Sequence, residues 1–224
     1  MILRLSVAID GPAGAGKSTI AKLLAKDFNL MYINTGAMYR AVTLMALSTN
    51  VSSEDIDGLC DLIDKMDMYF NKDRLILNNE DVEEKITSPE ISKKVSEFAA
   101  LPEVRKKLVK LQQNMSKQYD VIMDGRDIGT VVLKEAPFKF FLTASPEERA
   151  NRRYKELVNK GLKVEYEDIL KDIINRDYLD SNRKTDPLRK AEDAIEIDTT
   201  GLNIDGVVNK ISEHIKSSLV SGAK

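Results

Sequence analysis

A chain of 224 residues is long enough to bury a sizeable core, as one α/β domain or as two small ones. Its 42% hydrophobic and 31% charged content is that of a soluble globular protein, and a net charge of −2 with a pI of about 5.7 gives no bulk attraction for nucleic acid. One cysteine excludes an internal disulfide and a multi-cysteine metal site, and no apolar run approaches the roughly 20 residues of a membrane span.

Residues 3–9 (LRLSVAI) are mostly aliphatic without a helical period, which predicts a buried parallel strand. They lead straight into GPAGAGKST, so no separate signal segment is expected and a cytoplasmic location follows by default. That stretch fits G-x-x-x-x-G-K-[ST], with Gly11 and Gly16 allowing backbone geometry that a side chain would obstruct. Pro12, Ala13, Gly14, Ala15 and Thr19 complete a loop whose N–H groups and following helix cradle a triphosphate. Lys17 supplies a mobile charge and Ser18 a hydroxyl for Mg²⁺. Ile20, Leu23, Leu24 and Phe28 give the next segment one apolar helical face. In NTGAMYR, Thr35, Gly36 and Arg40 gather at the start of a helix beginning near Ala37, a suitable anion or sugar site.

Residues 54–100 break the pattern. A short helix carries Ile56, Leu59, Cys60 and Ile63 on one face, and polar stretches NKD and NNED then flank the LIL run as in a small antiparallel meander. Cys60 and the methionines at 38, 45, 66, 68 and 115 read as packing. Lysines 106, 107 and 110 read as a solvated face of a helix over 103–117.

A buried strand at 120–124 ends in Asp124, which serves either as a turn or cap residue or as an organiser of Mg²⁺ and its waters. Gly125 permits a tight turn, placing Arg126 and Asp127 at the carboxyl edge of the sheet, where ligands bind in open α/β folds. A strand at 138–142 precedes a helix over 146–159, on which Arg149, Arg152 and Arg153 share a face. Arg176, Asp180 and Arg183 share a face of a helix over 166–181 and its extension. Both clusters could be solvated faces with ordinary i,i+4 pairs. Downstream of a phosphate loop, cations for donor and acceptor oxygens are the favoured reading. A strand at 194–198 and a helix over 204–219 close the chain, leaving SGAK to fray, and the lone His214 lies beyond the charged clusters. Strands alternating with helices predict a parallel sheet covered on both faces.

The stretches AIDGPAGAGKST, NTGAMYRA, VSEFAALPEVRKKL, MDGRDIGTVVL, ASPEERANRR, RDYLDSNR and IDTTG together resemble the bacterial cytidylate kinases, a branch of the nucleoside monophosphate kinases. Their order and spacing span nearly the whole chain. The resemblance implies one kinase domain over 1–224, a three-layer α/β sandwich on a five-stranded parallel sheet. A fifth strand near 30–33, a monophosphate-binding insertion at about 60–98 and a short lid at about 150–165 come with it. It further implies that Ser96, Arg105 and Asp127 read the cytosine edge and that Arg40 and Arg126 grip the acceptor phosphate with help from Arg183. Thr35, Arg176 and Asp180 would hold the ribose side, and Arg149, Arg152 and Arg153 would be lid cations closing over the donor. Lys17, Arg126, Arg153 and Arg183 would carry the catalytic charge, and the metal site would be Ser18 with Asp124.

The expected reaction is γ-phosphoryl transfer from Mg-ATP to CMP or dCMP, in a monomer that binds neither nucleic acid nor membrane. The nearest alternative keeps the loop and changes the acceptor to UMP, AMP or shikimate. A nucleotide switch is a further alternative, for which the arginines around the acceptor site are a poor fit.

Overall fold

In the computed structural model, which describes residues 4–221, the aliphatic run before the phosphate loop becomes β1 (Ser6–Asp10). It starts later than the expected residue 3 because parallel pairing with the 121–125 strand begins at Ser6, and residue 3 lies outside the described residues. The loop then opens into α1 (Lys17–Asp27), and β2 (Met31–Asn34) is the edge strand expected near 30–33. α2 (Thr35–Ser48) begins at Thr35 rather than Ala37, because the Asn34 side chain caps it by accepting from Ala37 N at 3.0 Å.

The irregular middle region consists of α3 (Ile56–Asp64), an antiparallel sheet of β3 (Met68–Asn71), β4 (Arg74–Leu77) and β5 (Glu80–Asp81), the short α4 (Glu83–Ile86) and α5 (Pro89–Ala99). The LIL run is β4, and its three residues are all buried. Cys60 is half-buried rather than core, since α3 turns Leu59 and Ile63 inward and leaves Cys60 at the shoulder of that face. Next come α6 (Pro102–Gln118), β6 (Val121–Gly125) and a π-helical turn over Ile128–Val132 that sequence periodicity does not announce. β7 (Phe138–Thr143), α7 (Pro146–Asn159), α8 (Tyr166–Asn182), β8 (Ile195–Asp198) and α9 (Ile204–Ser221) complete the chain. Apart from the helical Ser221, the expected frayed end falls outside the described residues.

The main sheet is parallel throughout, in the order β2-β6-β1-β7-β8. Alternation along the strands divides the core. Val7, Ile9, Tyr32, Ile122, Phe138, Phe140 and Leu142 pack against α1 and α9. Ala8, Ile33, Val121 and Met123 face the opposite layer, where α2, α3, α6 and the small sheet share one cluster. Fully burying one of these aliphatic side chains stabilises the fold by about 1.5–3 kcal/mol before entropy is counted. A third, separate cluster of Ala150, Ile169 and Ile173 joins α7 to α8. His214 is exposed and lays its ring edge-on to Phe138 and Phe140.

Candidate active site

The carboxyl ends of β1, β2 and β6 bring the functional side chains together. Gly11, with φ of 146°, follows β1 so closely that a Cβ would collide with the carbonyl oxygen of Leu142. Gly16, left-handed at φ 85°, is the N-cap of α1 and offers no side-chain cap, so the helix N-terminus stays open to an anion. Lys17 is buried and donates from Nζ to the Pro12 carbonyl at 2.7 Å. Burial and the nearby Arg126 hold its ammonium well below the usual lysine range. Thr19 lies exposed in the first turn, and the Ala15 carbonyl accepts from Thr199 Oγ1 at 3.4 Å.

Asp124, the penultimate residue of β6, has both carboxylate oxygens occupied. Ser18 Oγ donates to Oδ2 and Tyr32 Oη to Oδ1, each at 2.8 Å. Thr35 Oγ1 donates to the Asp124 carbonyl at 2.8 Å, joining the head of α2 to the same strand end. Asp124 is therefore not a helix cap. It is a buried carboxylate beside the loop hydroxyl, and among the described residues no group of three or more His, Cys, Asp or Glu is placed to hold a metal.

Beside this end of the sheet stands a cluster of cations. Arg126 donates from Nε to Asp180 Oδ2 at 2.7 Å. Burial would raise Asp180, but Arg126 and Arg176 outweigh it and hold the carboxylate below its usual range. Arg40 and Arg176 each keep a buried Nε without a hydrogen-bond partner. Burial, then Arg126 and Arg40, lowers the Arg176 guanidinium to about 9; burial, then Arg126 and Arg153, lowers Arg40. Two half-buried guanidinium groups whose buried Nε–H groups lack acceptors, set beside Arg126, make a place suited to an anion.

A second group lies along α6. Arg105, 1% exposed, pairs through Nη2 with Asp127, reaches Asp186 Oδ2 from Nε at 3.1 Å and donates to the Ala99 carbonyl at 3.2 Å. That last bond ties the end of α5, which carries the half-buried Ser96, to the same guanidinium. Arg183 Nη2 stands 3.6 Å from Asp127 Oδ1, and its Nε donates to the Asp186 carbonyl at 2.8 Å. Burial raises Asp127 despite these two arginines. Arg183 therefore joins the Asp127 group rather than the unpartnered cations.

The arginines of α7 do not act alike, whatever their common spacing suggested. Arg149 is buried, donating to the Ala144 and Ala13 carbonyls at 2.9 and 3.1 Å and pairing with Asp177 at 2.6 Å. In place of a free cation over the donor, it is a bolt between α7, α8 and the underside of the loop, close enough that a Cβ on Gly14 would press on it. Arg152 is tied to Thr199 Oγ1 and carbonyl at 3.1 and 2.7 Å and to Glu148 at 2.9 Å. Arg153 is half-buried and pairs with Glu156 at 2.8 Å.

Several site residues escape sequence reasoning. Asp177 and Asp186 sit among charged neighbours with no distinguishing spacing, and Thr199 only gains meaning where β8 meets the loop. Asp10 did carry a signal, as an acidic residue that follows the apolar Val7-Ala8-Ile9 and directly precedes the loop.

The sequence model of the family described as cytidylate kinase matches residues 7–217. The chain belongs to the cytidylate kinase family. A cytidylate kinase of Clostridium perfringens is 67% identical over 212 residues, covering 95% of this chain and 98% of the relative. That of Clostridium acetobutylicum is 62% identical over 217 residues, with 97% and 100% covered, and that of Clostridium tetani 60% over 218. An uncharacterized protein from Eubacterium ventriosum shares the fold at a TM-score of 0.52 and 15% identity, covering 96% of this chain and 99% of the other. As a cytidylate kinase family member the chain is a phosphotransferase acting on nucleotides, and the five-stranded parallel sheet is the family's expected core. Among the described residues, no helix is long and apolar enough to cross a membrane.

Proposed function

We propose that this chain transfers the γ-phosphoryl group of Mg-ATP to CMP or dCMP, giving ADP and CDP or dCDP. The observation that carries the reading is the pair Arg40 and Arg176, whose buried, unpartnered Nε–H groups stand in the electrostatic reach of Arg126. An acceptor phosphate supplies the missing acceptors there, close to the loop that holds the donor. Thr35 and Asp180 flank that phosphate on the ribose side. Ser96, Arg105 and Asp127 form the base end, where a hydroxyl, a guanidinium and a carboxylate match the carbonyl and exocyclic amine of cytosine.

Lys17 and the open N-terminus of α1 hold the donor phosphates, with Arg126, Arg153 and Arg183 contributing charge around the transferring group. Ser18 and Asp124 fit a Mg²⁺ ion that takes its remaining oxygens from phosphates and water, because a fixed hydroxyl–carboxylate pair adjoins the loop. A Mg²⁺ ion held by Ser18 and Asp124 would supply positive charge to the donor phosphates. No general base is required, since a nucleotide phosphate is already ionised at pH 7. The region of about 60–98 serves as the monophosphate-binding insertion and about 150–165 as the lid, with Gly161 at φ 77° marking the turn of its tip. Donor and acceptor groups both come from one chain, so a monomer completes the site, and we assign it to the cytoplasm.

The test is a Mg-ATP phosphotransfer assay across CMP, dCMP, UMP, AMP, GMP and shikimate with a no-acceptor control. Turnover concentrated on CMP and dCMP is expected. A preference for another acceptor overturns the base assignment, and hydrolysis independent of acceptor overturns the transfer reaction.

A further inference from the structure

Asp10 is the last residue of β1, directly before Gly11, and is 4% exposed. Its two oxygens accept separate backbone bonds, Oδ1 from Ile128 N at 2.8 Å and Oδ2 from Gly129 N at 2.7 Å. These are the first amides of the π-turn, the donors that a capping side chain ordinarily satisfies. The N-cap position is Asp127, and Asp127 makes no side-chain cap bond, its carboxylate being turned to Arg105 and Arg183. Asp10 thus takes over the cap from 118 residues away in sequence and leaves Asp127 free to face the site.

We propose that Asp10 is a positioning residue for acceptor selection, its carboxylate clasping the first two amides of the π-turn and so fixing Asp127 relative to the phosphate loop. This rests on the reading of Asp127 as a base-recognising group. Only a carboxylate presents an acceptor to both amides; the amide of an asparagine would turn an N–H₂ against one of them. Burial pushes the Asp10 carboxyl up to about 7 against the pull of the two amides, with Asp127 from the turn adding to the rise and Lys17 from α1 opposing it. From β7, Lys139 brings its aliphatic stem beside Gly129, while its Nζ is held by Asp193 at 2.7 Å. As pH falls through about 7, the carboxyl takes up a proton and one clasping oxygen becomes a donor facing a donor.

In the full-length protein, Asp10→Asn should lower the CMP:UMP ratio of kcat/KM about tenfold, mainly through KM for CMP, with KM for ATP changed less than twofold. The wild-type ratio should also be lower at pH 6 than at pH 8. By NMR, the Ile128 and Gly129 amide protons of the wild type should titrate together with a midpoint near 7 and lose that response in D10N. An unchanged ratio in D10N beside a collapsed one in Asp127→Asn overturns the positioning role. An unchanged ratio in both variants overturns the base reading of Asp127 and the proposal with it. Should D10N fail to fold, the wild type decides: a ratio independent of pH, or amides that do not titrate, overturns the clasp.

Discussion

Arg105 is a buried guanidinium and Arg176 a half-buried one with a buried Nε, and their partners give them opposite effects on the protein without nucleotide. Arg105 is matched by Asp127 and Asp186, so removing it leaves the buried Asp127 with only Arg183, whose Nη2 stands 3.6 Å away. Arg105→Ala is therefore expected to cost about 3–5 kcal/mol of stability, read as a shift in the urea unfolding midpoint. Arg176 is opposed by Arg126 and Arg40 and has a buried Nε that nothing accepts. Arg176→Met should relieve that repulsion, raising Tm by roughly 2–4 °C without nucleotide, equivalent to about 1 kcal/mol in a chain of this size. The same change should lower kcat on the order of 10³-fold if the cation meets phosphate. A variant that is both less stable and fully active would assign Arg176 to structure.

Among the elements, the small sheet of β3, β4 and β5 carries the sharpest test of how the chain is divided. Leu75 of β4 is fully buried in the cluster that also holds Ala8 of β1 and Val121 of β6. The region between α2 and α6 therefore shares the main core. Leu75→Ala should cost about 2–5 kcal/mol in one cooperative transition; a separate early transition would mark an independent unit. Most of the regular elements were legible because they depend on local pattern. The α7 bounds follow from Ser145-Pro146 and from the apolar spacing, and the buried strands from their aliphatic runs. The π-turn was not legible, since the side chain that holds it lies on β1. Arg149 was assigned the right face but the wrong depth, because spacing orders residues around a helix and says nothing of the Ala13 carbonyl or Asp177 beneath it. The group around Arg105 and Asp127 was legible only as a resemblance, because Asp186 meets Arg105 from 81 residues away in sequence.

For the molecule as a whole, the two large clusters flank one sheet while α7 and α8 form their own small core of Ala150, Ile169 and Ile173 with Tyr154, Leu157, Val164, Tyr166 and Leu170. Arg149 fastens the base of that arm to the phosphate loop, and the far end around residues 155–165 is mostly exposed. Amide hydrogen exchange should separate the two parts. Amides of 154–170 are expected to exchange through a low-energy partial opening, ahead of those in β1 and β6, which need global unfolding; equal protection in both would refute an independent arm. A unit that opens alone, held at its base by Arg149, by Arg152 to Thr199 and by Asp180 to Arg126, also tolerates change alone at its far end. Substitutions in its outer turns are then expected to leave the stability of the two large clusters that flank the sheet unchanged.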